Sequence, residues 1–254
     1  MSKKVHENFD LDLNNITAFI LCGGKGTRLR PYTYTLPKPM LKIGNRPLLE
    51  YVIRNLKRCG INKYIFTVGY LKHHIMNYFG DGSKFGVNIE YLVEDEEKPK
   101  NTAGSIIEGK NIIDKEYPFV VMMGDHLTDI NIRDMINYHM KNKDSIATLA
   151  IKVQGIPLEY GIVDVDENKR ILEFKEKPVL SQLINMGIYV CNYEIFNYIK
   201  EGEDFASHVF PKLLKEKKIL NAYLFDGYWE DIGRITDYER VHQLISLIDF
   251  IKDF

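Results

Sequence analysis

The stretch Thr17-Ala18-Phe19-Ile20-Leu21-Cys22-Gly23-Gly24-Lys25-Gly26-Thr27-Arg28-Leu29-Arg30-Pro31 runs from an apolar segment straight into a loop of glycines and cations. Thr17 to Cys22 shows no polar alternation, so it reads as a strand buried on both faces, and Gly23 and Gly24 end it. Downstream, Leu48, Leu49, Val52, Ile53 and Leu56 recur at helical spacing, with Glu50, Arg54 and Arg58 on the opposite face and Gly60 as a stop. Lys63–Val68, Val87–Val93 and Pro118–Met123 read as further strands; Leu71–Phe79 and Thr102–Ile113 read as helices between them. Strands alternating with helices predict an α/β fold: a doubly wound, mostly parallel mixed sheet covered on both faces. In such sheets ligands gather at the carboxyl edge, which is where the loops carrying Gly23, Gly24 and Asp125 leave their strands.

Beyond about Ser145 the texture changes. Ile146–Val153, Gly161–Val165, Ile171–Phe174 and Ile184–Val190 read as strands with short connections, and helices return at Tyr193–Ile199, Ala206–Lys215 and Thr236–Ile251. We expect one domain over 17–251, with a half at 17–144 carrying the glycine loop and a β-rich half at 145–251 sharing its sheet. Residues 1–16 read as an N-terminal arm or tail.

The 254 residues are 45% hydrophobic and 27% charged with a formal net charge of −1, values that indicate a globular chain and give no overall pull toward nucleic acid or an acidic membrane. Any polyanion site must be local. Cys22, Cys59 and Cys191 lie far apart and form neither a metal cluster nor an even disulfide set. No apolar run is long enough to span a bilayer and no basic-then-apolar leader opens the chain. A cytoplasmic protein with no membrane or nucleic-acid partner is expected.

Glycines let backbone N–H groups approach phosphate oxygens, and the planar fork of Arg28 can hold two oxygens at once. The loop is not a P-loop, because Lys25 precedes Gly26 and Thr27 is followed by Arg28. Nor does it match the dinucleotide fingerprint of a nicotinamide-dependent dehydrogenase, which needs an immediate helix where Arg30-Pro31 stands here. Further on, Pro37-Lys38-Pro39-Met40 sets a lysine between two prolines that stiffen its backbone. His73, His74, His126 and His139 show no metal-ligand spacing and read as structural or surface residues, with His126 singled out only by its neighbour Asp125.

The glycine loop followed by the Pro-Lys-Pro-Met segment resembles the signature of the sugar-1-phosphate nucleotidyltransferase (pyrophosphorylase) family. Later segments match in the family's order: Asn101-Thr102-Ala103-Gly104, Gly124-Asp125, Tyr160-Gly161, Glu176-Lys177-Pro178, Asn185-Met186-Gly187 and Trp229-Glu230-Asp231-Ile232-Gly233. The resemblance spans Thr17 to about Leu247. It implies a Rossmann-like nucleotidyltransferase fold with a sugar-binding β-rich extension, so that 17–144 would be the nucleotide-binding half and 145–251 the sugar-phosphate-binding half. It also implies the substrates, a nucleoside triphosphate and a sugar 1-phosphate, and Mg²⁺ as cofactor.

By the same resemblance Gly23, Gly24, Gly26, Thr27 and Arg28 would hold the triphosphate, Lys38 the α-phosphate, and Thr102 and Gly104 the base. Gly161, Glu176 and Asn185 would hold the sugar, Lys177 its phosphate, and Asp125 and Asp231 one Mg²⁺. Arg28, Lys38, Asp125, Lys177 and Asp231 make up the expected catalytic set. Thr-Ala-Gly with Gly124-Asp125 is closest to the mannose- and heptose-1-phosphate guanylyltransferase branch, and Gly104 stands where the thymidylyl-transferring branch has a glutamine that reads the pyrimidine. GTP with mannose 1-phosphate is therefore the expected pair; thymidylyl or uridylyl transfer to glucose 1-phosphate and a catalytically inactive regulatory homologue are the alternatives. Lys100-Asn101 replaces the usual Leu-Gly before Thr102, the β-helix domain of many relatives is not expected, and a homo-oligomer is compatible with the family.

Overall fold

The computed structural model describes residues 12–248, so most of the expected N-terminal arm and the end of the last expected helix lie outside the described residues. In chain order the elements are β1 (Thr17–Leu21), β2 (Lys42–Ile43), β3 (Arg46–Pro47), α1 (Leu48–Arg58), β4 (Lys63–Val68), α2 (Lys72–Phe79), β5 (Asn88–Val93), α3 (Asn101–Gly104), β6 (Phe119–Met123) and β7 (His126–Thr128). They continue with α4 (Ile132–Lys141), β8 (Ser145–Pro157), β9 (Ile162–Val165), β10 (Ile171–Lys175), β11 (Val179–Cys191), α5 (Phe210–Lys215), β12 (Ile219–Leu224), β13 (Trp229–Asp231) and α6 (Ile235–Leu244).

Seven strands form one twisted sheet in the order β12-β8-β11-β6-β1-β4-β5. Its pairs are parallel except where β11 meets β6 and β8, so β11 alone runs against the other six. The mostly parallel mixed α/β sheet read from the sequence is the observed fold. Alternate residues of the central strands serve opposite faces. Ala18, Ile20, Phe66 and Met122 pack with Leu49, Val52, Ile53 and Leu56 of α1 and with Met135 and Ile136 of α4. Phe19, Leu21, Ile65 and Val121 pack with Ala103, Ile106, Phe196, Phe205 and Leu213 on the other side. Both faces are covered, which is why these strands are continuously apolar. Truncating one such fully buried aliphatic side chain to alanine costs about 2–5 kcal/mol.

Several expected elements change shape. The single helix expected over Thr102–Ile113 is α3 followed by a separate 3₁₀ segment, Ile107–Asn111. Gly109 belongs to that segment, and a Cβ there would lie 2.3 Å from Phe19 Cε1. Tyr193–Tyr198 is 3₁₀ rather than α, and a π-helical turn, Phe205–Val209, leads into α5. Helix α4 and strands β7 and β12 are additions to the reading of the sequence. At the start of the described chain, Asp12 caps a turn and Leu13 and Ile16 enter the core.

Strands β8 and β11 pair along almost their whole length, with a register shift between Asn185 and Tyr189. Beyond that irregularity their outer halves and the β9–β10 hairpin make an arm on which every residue of β9 and β10 is exposed. This is the β-rich extension expected from the second half of the chain.

Candidate active site

Two adjoining cavities open at the carboxyl edge of the sheet and share Leu21, Gly24 and Asp125 in their walls. The first, about 260 Å³, lies between the ends of β1 and β5 and is bounded by Gly23, Glu94, Pro99 and Asn101. The second, about 280 Å³, is lined by Gly26, Thr27, Arg28 and Lys38. Gly26 has φ +58°, and a Cβ there would meet Thr33 and Lys38, so the glycine loop packs directly on the Pro-Lys-Pro segment. Thr33, in the turn between them, donates its hydroxyl to the Gly26 carbonyl at 2.8 Å.

Asp125 and Asp231 meet because β7 and β13 form a short antiparallel ribbon in which Asp231 pairs with His126. A latch holds that ribbon: Thr128 Oγ1 donates to the Tyr228 carbonyl at 2.8 Å, and the Tyr228 N–H donates to Asp129 Oδ1 at 2.8 Å. Lys38 Nζ forms an ion pair with Asp125 and lies 3.2 Å from Asp231 Oδ1. His126 Nε2 is 3.8 Å from Asp125 Oδ1 and 3.9 Å from Asp231 Oδ1, and its buried Nδ1 has no hydrogen-bond partner among the described residues.

The electrostatics follow from burial and charge. Burial by itself would raise the Asp125 carboxyl, but Lys38 and His126 outweigh it and hold Asp125 below the usual carboxylate range. Burial likewise opposes the charge on Lys38, yet Asp125 and Asp231 carry its pKa above the ordinary lysine value. His126 goes down, since burial outweighs the two carboxylates. Donor atoms of Asp125, His126 and Asp231 lie within 4.8 Å of one another, a spacing one divalent ion can bridge, and two carboxylates with room for phosphate oxygens and water suit Mg²⁺.

The segment 17–246, nearly all of the described chain, matches the family model for nucleotidyl transferases. The chain belongs to the nucleotidyl transferase family. It is 36% identical over 237 residues to a UTP–glucose-1-phosphate uridylyltransferase of Synechocystis, covering 87% of this chain and 61% of that one. It is 37% identical over 230 residues to the D-glycero-α-D-manno-heptose 1-phosphate guanylyltransferase of Campylobacter jejuni, covering 90% and 99%. Mannose-1-phosphate guanyltransferases stand among the further relatives. The chain spans 61–64% of the length of those proteins and of the uridylyltransferase. Among solved structures, a Bacillus anthracis protein assigned as a glucose-1-phosphate thymidylyltransferase superposes with TM-score 0.71 at 26% identity, over 90% of this chain and 94% of that one.

In this chain Gly23, Gly24, Gly26, Thr27, Arg28, Lys38, Asp125 and Asp231 come together around the two cavities. Thr102 lines the first cavity, but its hydroxyl is committed: it donates to Asp204 Oδ2 at 2.6 Å and accepts from the Phe205 N–H. Gly104 is buried, and a Cβ there would stand 2.8 Å from the Gly202 nitrogen, so packing accounts for this glycine. Asn185 sits in the β11 irregularity with both ends of its amide bonded, to the Gly187 N–H and to the Tyr189 hydroxyl. Gly161 and Glu176 adjoin each other on the arm, beside Lys177, and none of the three lines either cavity.

Two groups in the site lie outside the expected site residues. His126 reads from the sequence as structural or surface, singled out only by its neighbour Asp125. Glu94 heads the acidic run Glu94-Asp95-Glu96-Glu97 and is buried, while the other acids of the run are exposed.

Proposed function

We propose that this chain transfers a guanylyl group from GTP to a sugar 1-phosphate, with mannose 1-phosphate as the acceptor, giving GDP-mannose and pyrophosphate in the cytoplasm. The observation that carries this reading is the Lys38 ammonium between Asp125 and Asp231, at the junction of a cavity bounded by Glu94 and one lined by Arg28 and Lys38. Two polyanions must meet for this reaction, and a junction of cations and metal-binding carboxylates offsets their repulsion.

In this reading the glycine-loop N–H groups and Arg28 hold the β- and γ-phosphates, while the base enters the first cavity. Lys38 steadies the α-phosphate, exchanging carboxylate partners for phosphate oxygens as substrate binds. Asp125 and Asp231 would hold Mg²⁺, with His126 beside them, and the ion would supply positive charge that offsets the repulsion between the phosphates. A sugar-phosphate oxygen attacks the α-phosphorus in line, the bond from that phosphorus to the bridging oxygen of pyrophosphate breaks, and pyrophosphate departs with the electron pair. No covalent enzyme intermediate is needed, and catalysis is positioning and charge neutralisation. Gly161, Glu176 and Asn185 hold the sugar, and Lys177 holds its phosphate.

Pyrophosphate release from a matrix of GTP, UTP, dTTP, CTP and ATP against mannose, glucose and heptose 1-phosphates tests the proposal. GTP with mannose 1-phosphate is the expected best pair. UTP with glucose 1-phosphate is the second reading, favoured by the 36% identity to the Synechocystis uridylyltransferase. No release from any pair would overturn transferase activity.

A further inference from the structure

His126 opens β7 and stands directly opposite Asp231 of β13, so the two side chains leave the same face of the ribbon, and Asp125 precedes His126 in the chain. The residue is 6% exposed. Its ring is held by packing: Trp229 meets it edge-on, with centroids 5.5 Å apart and planes at 82°, and a Cβ on Gly187 would stand 2.8 Å from His126 Cε1. Gly187 has φ +70°, a left-handed backbone that glycine adopts freely, and the missing side chain leaves room for the imidazole.

The ring so placed aims Nε2 at Asp125 Oδ1 and Asp231 Oδ1, 3.8 and 3.9 Å away. Both distances exceed the reach of a hydrogen bond, so the imidazole faces the carboxylates without being bonded to either. They do match the spacing of ligands around one ion. With ligand bonds of about 2.1 Å, neighbouring donors stand about 3 Å apart and opposite donors about 4.2 Å apart.

We propose that His126 is a third metal ligand, binding through Nε2, and that it turns the ion site of this chain toward borderline ions such as Mn²⁺ and Co²⁺ at the expense of Mg²⁺. This rests on the reading above in which Asp125 and Asp231 hold a divalent ion, and it goes beyond that reading by adding a ligand and an ion preference. Two carboxylates with water and phosphate oxygens form an all-oxygen set, which suits Mg²⁺. An imidazole nitrogen gains most with ions further along the series from Mn²⁺ to Co²⁺ and Zn²⁺, and little with Mg²⁺. Lys38, which shares the two carboxylates, must move aside for the ion, as it does in that reading.

The test uses Mn²⁺ and Co²⁺ alone, without nucleotide, on the full chain. Electron spin-echo modulation of bound Mn²⁺ should show a directly coordinated nitrogen in wild type, and the pattern should change when histidine is labelled with ¹⁵N. The wild-type spectrum decides this without any variant. In His126→Gln, whose amide oxygen is a hard donor, the nitrogen signal should vanish. Co²⁺ affinity should fall by about 10- to 100-fold while Mg²⁺ affinity stays within about threefold, both read by calorimetry.

Bound Mn²⁺ without a nitrogen signal, or a signal that persists in His126→Gln, would overturn the assignment and leave the two-carboxylate site standing. Equal losses of Co²⁺ and Mg²⁺ affinity in His126→Gln would also overturn it, since a merely structural histidine would weaken all ions alike. A histidine-ligated ion in a protein that releases pyrophosphate from no substrate pair would uphold the ligand while the transferase reading fails.

Discussion

Lys38 Nζ lies 3.2 Å from Asp231 Oδ1, although 193 positions separate the two residues, and the same ammonium is paired with Asp125. It stands where a divalent ion held by these two carboxylates would place its charge, so ammonium and metal compete for one pair of anions. Lys38→Met removes the competitor. In the absence of nucleotide, Mn²⁺ binding followed by electron paramagnetic resonance should tighten by roughly tenfold, equivalent to about 1.4 kcal/mol. Turnover should fall by about 100- to 1,000-fold, since the α-phosphate loses its cation. Weaker Mn²⁺ binding in Lys38→Met would show that the ammonium assists the ion rather than replacing it.

Asp125 and Asp231 act through one ion, so their contributions should not add. Asp125→Asn and Asp231→Asn should each lower turnover by about 100- to 1,000-fold with the fold intact. The double variant should be little worse than either single one, as for residues that work as a unit. Multiplicative losses, or turnover of Asp125→Asn within a few-fold of wild type, would defeat the shared-ion account.

What the sequence disclosed and what it hid divide along contact distance. Strands β1 and β4 carry continuous apolar runs whose burial depends only on being central in the sheet, so their bounds were legible to within a residue. Strand β7 is three residues long and exists because β13 pairs with it from about a hundred positions away. No local pattern announces such a ribbon, and the meeting of Asp125 with Asp231 became visible in the sequence through family resemblance. Helix α4 is different: Asn131 caps it by accepting from the Asp134 N–H, and Ile132, Met135, Ile136 and His139 face inward, a pattern that local spacing carries. Glu94 was hidden by its acidic neighbours, since burial of one member of a charge run depends on where the strand before it ends.

Gly104, expected at the base, packs closely on Gly202 and does not line the first cavity. Its N–H donates to the Glu203 carbonyl at 3.0 Å, and its Cα faces the Gly202 nitrogen. Gly104→Ala should therefore lower stability by about 1–3 kcal/mol, the usual effect of an added methyl in a tight site. Urea unfolding measures this. The ratio of GTP to UTP binding should stay as in wild type, and a shift toward UTP would return Gly104 to the base pocket.

His139 connects pH to stability away from the cavities. It is 2% exposed, with Nδ1 2.8 Å from Thr148 Oγ1 and Nε2 3.0 Å from Asn192 Oδ1. One arrangement satisfies both contacts with a neutral ring: Nε2–H donates to Asn192, and Nδ1 accepts from the Thr148 hydroxyl. Burial lowers the His139 pKa below its ordinary value of 6.5, and the Asn192 contact only partly opposes that. The sign follows from linkage. Above 6.5 the ring is neutral in both folded and unfolded chains, and its full contribution is present. As pH falls through that value the unfolded chain takes up a proton that the folded one refuses, so stability declines by at most about 1.4 kcal/mol per pH unit until the folded pKa is reached. His139→Gln removes this proton and leaves buried partners imperfectly satisfied, which should cost about 1–3 kcal/mol at pH 8. The gap between variant and wild type should then narrow as pH is lowered from 8 to 5, read from urea midpoints at each pH. A gap that stays constant or widens toward acid would mean that the folded protein accepts the proton on His139 as readily as the unfolded chain does.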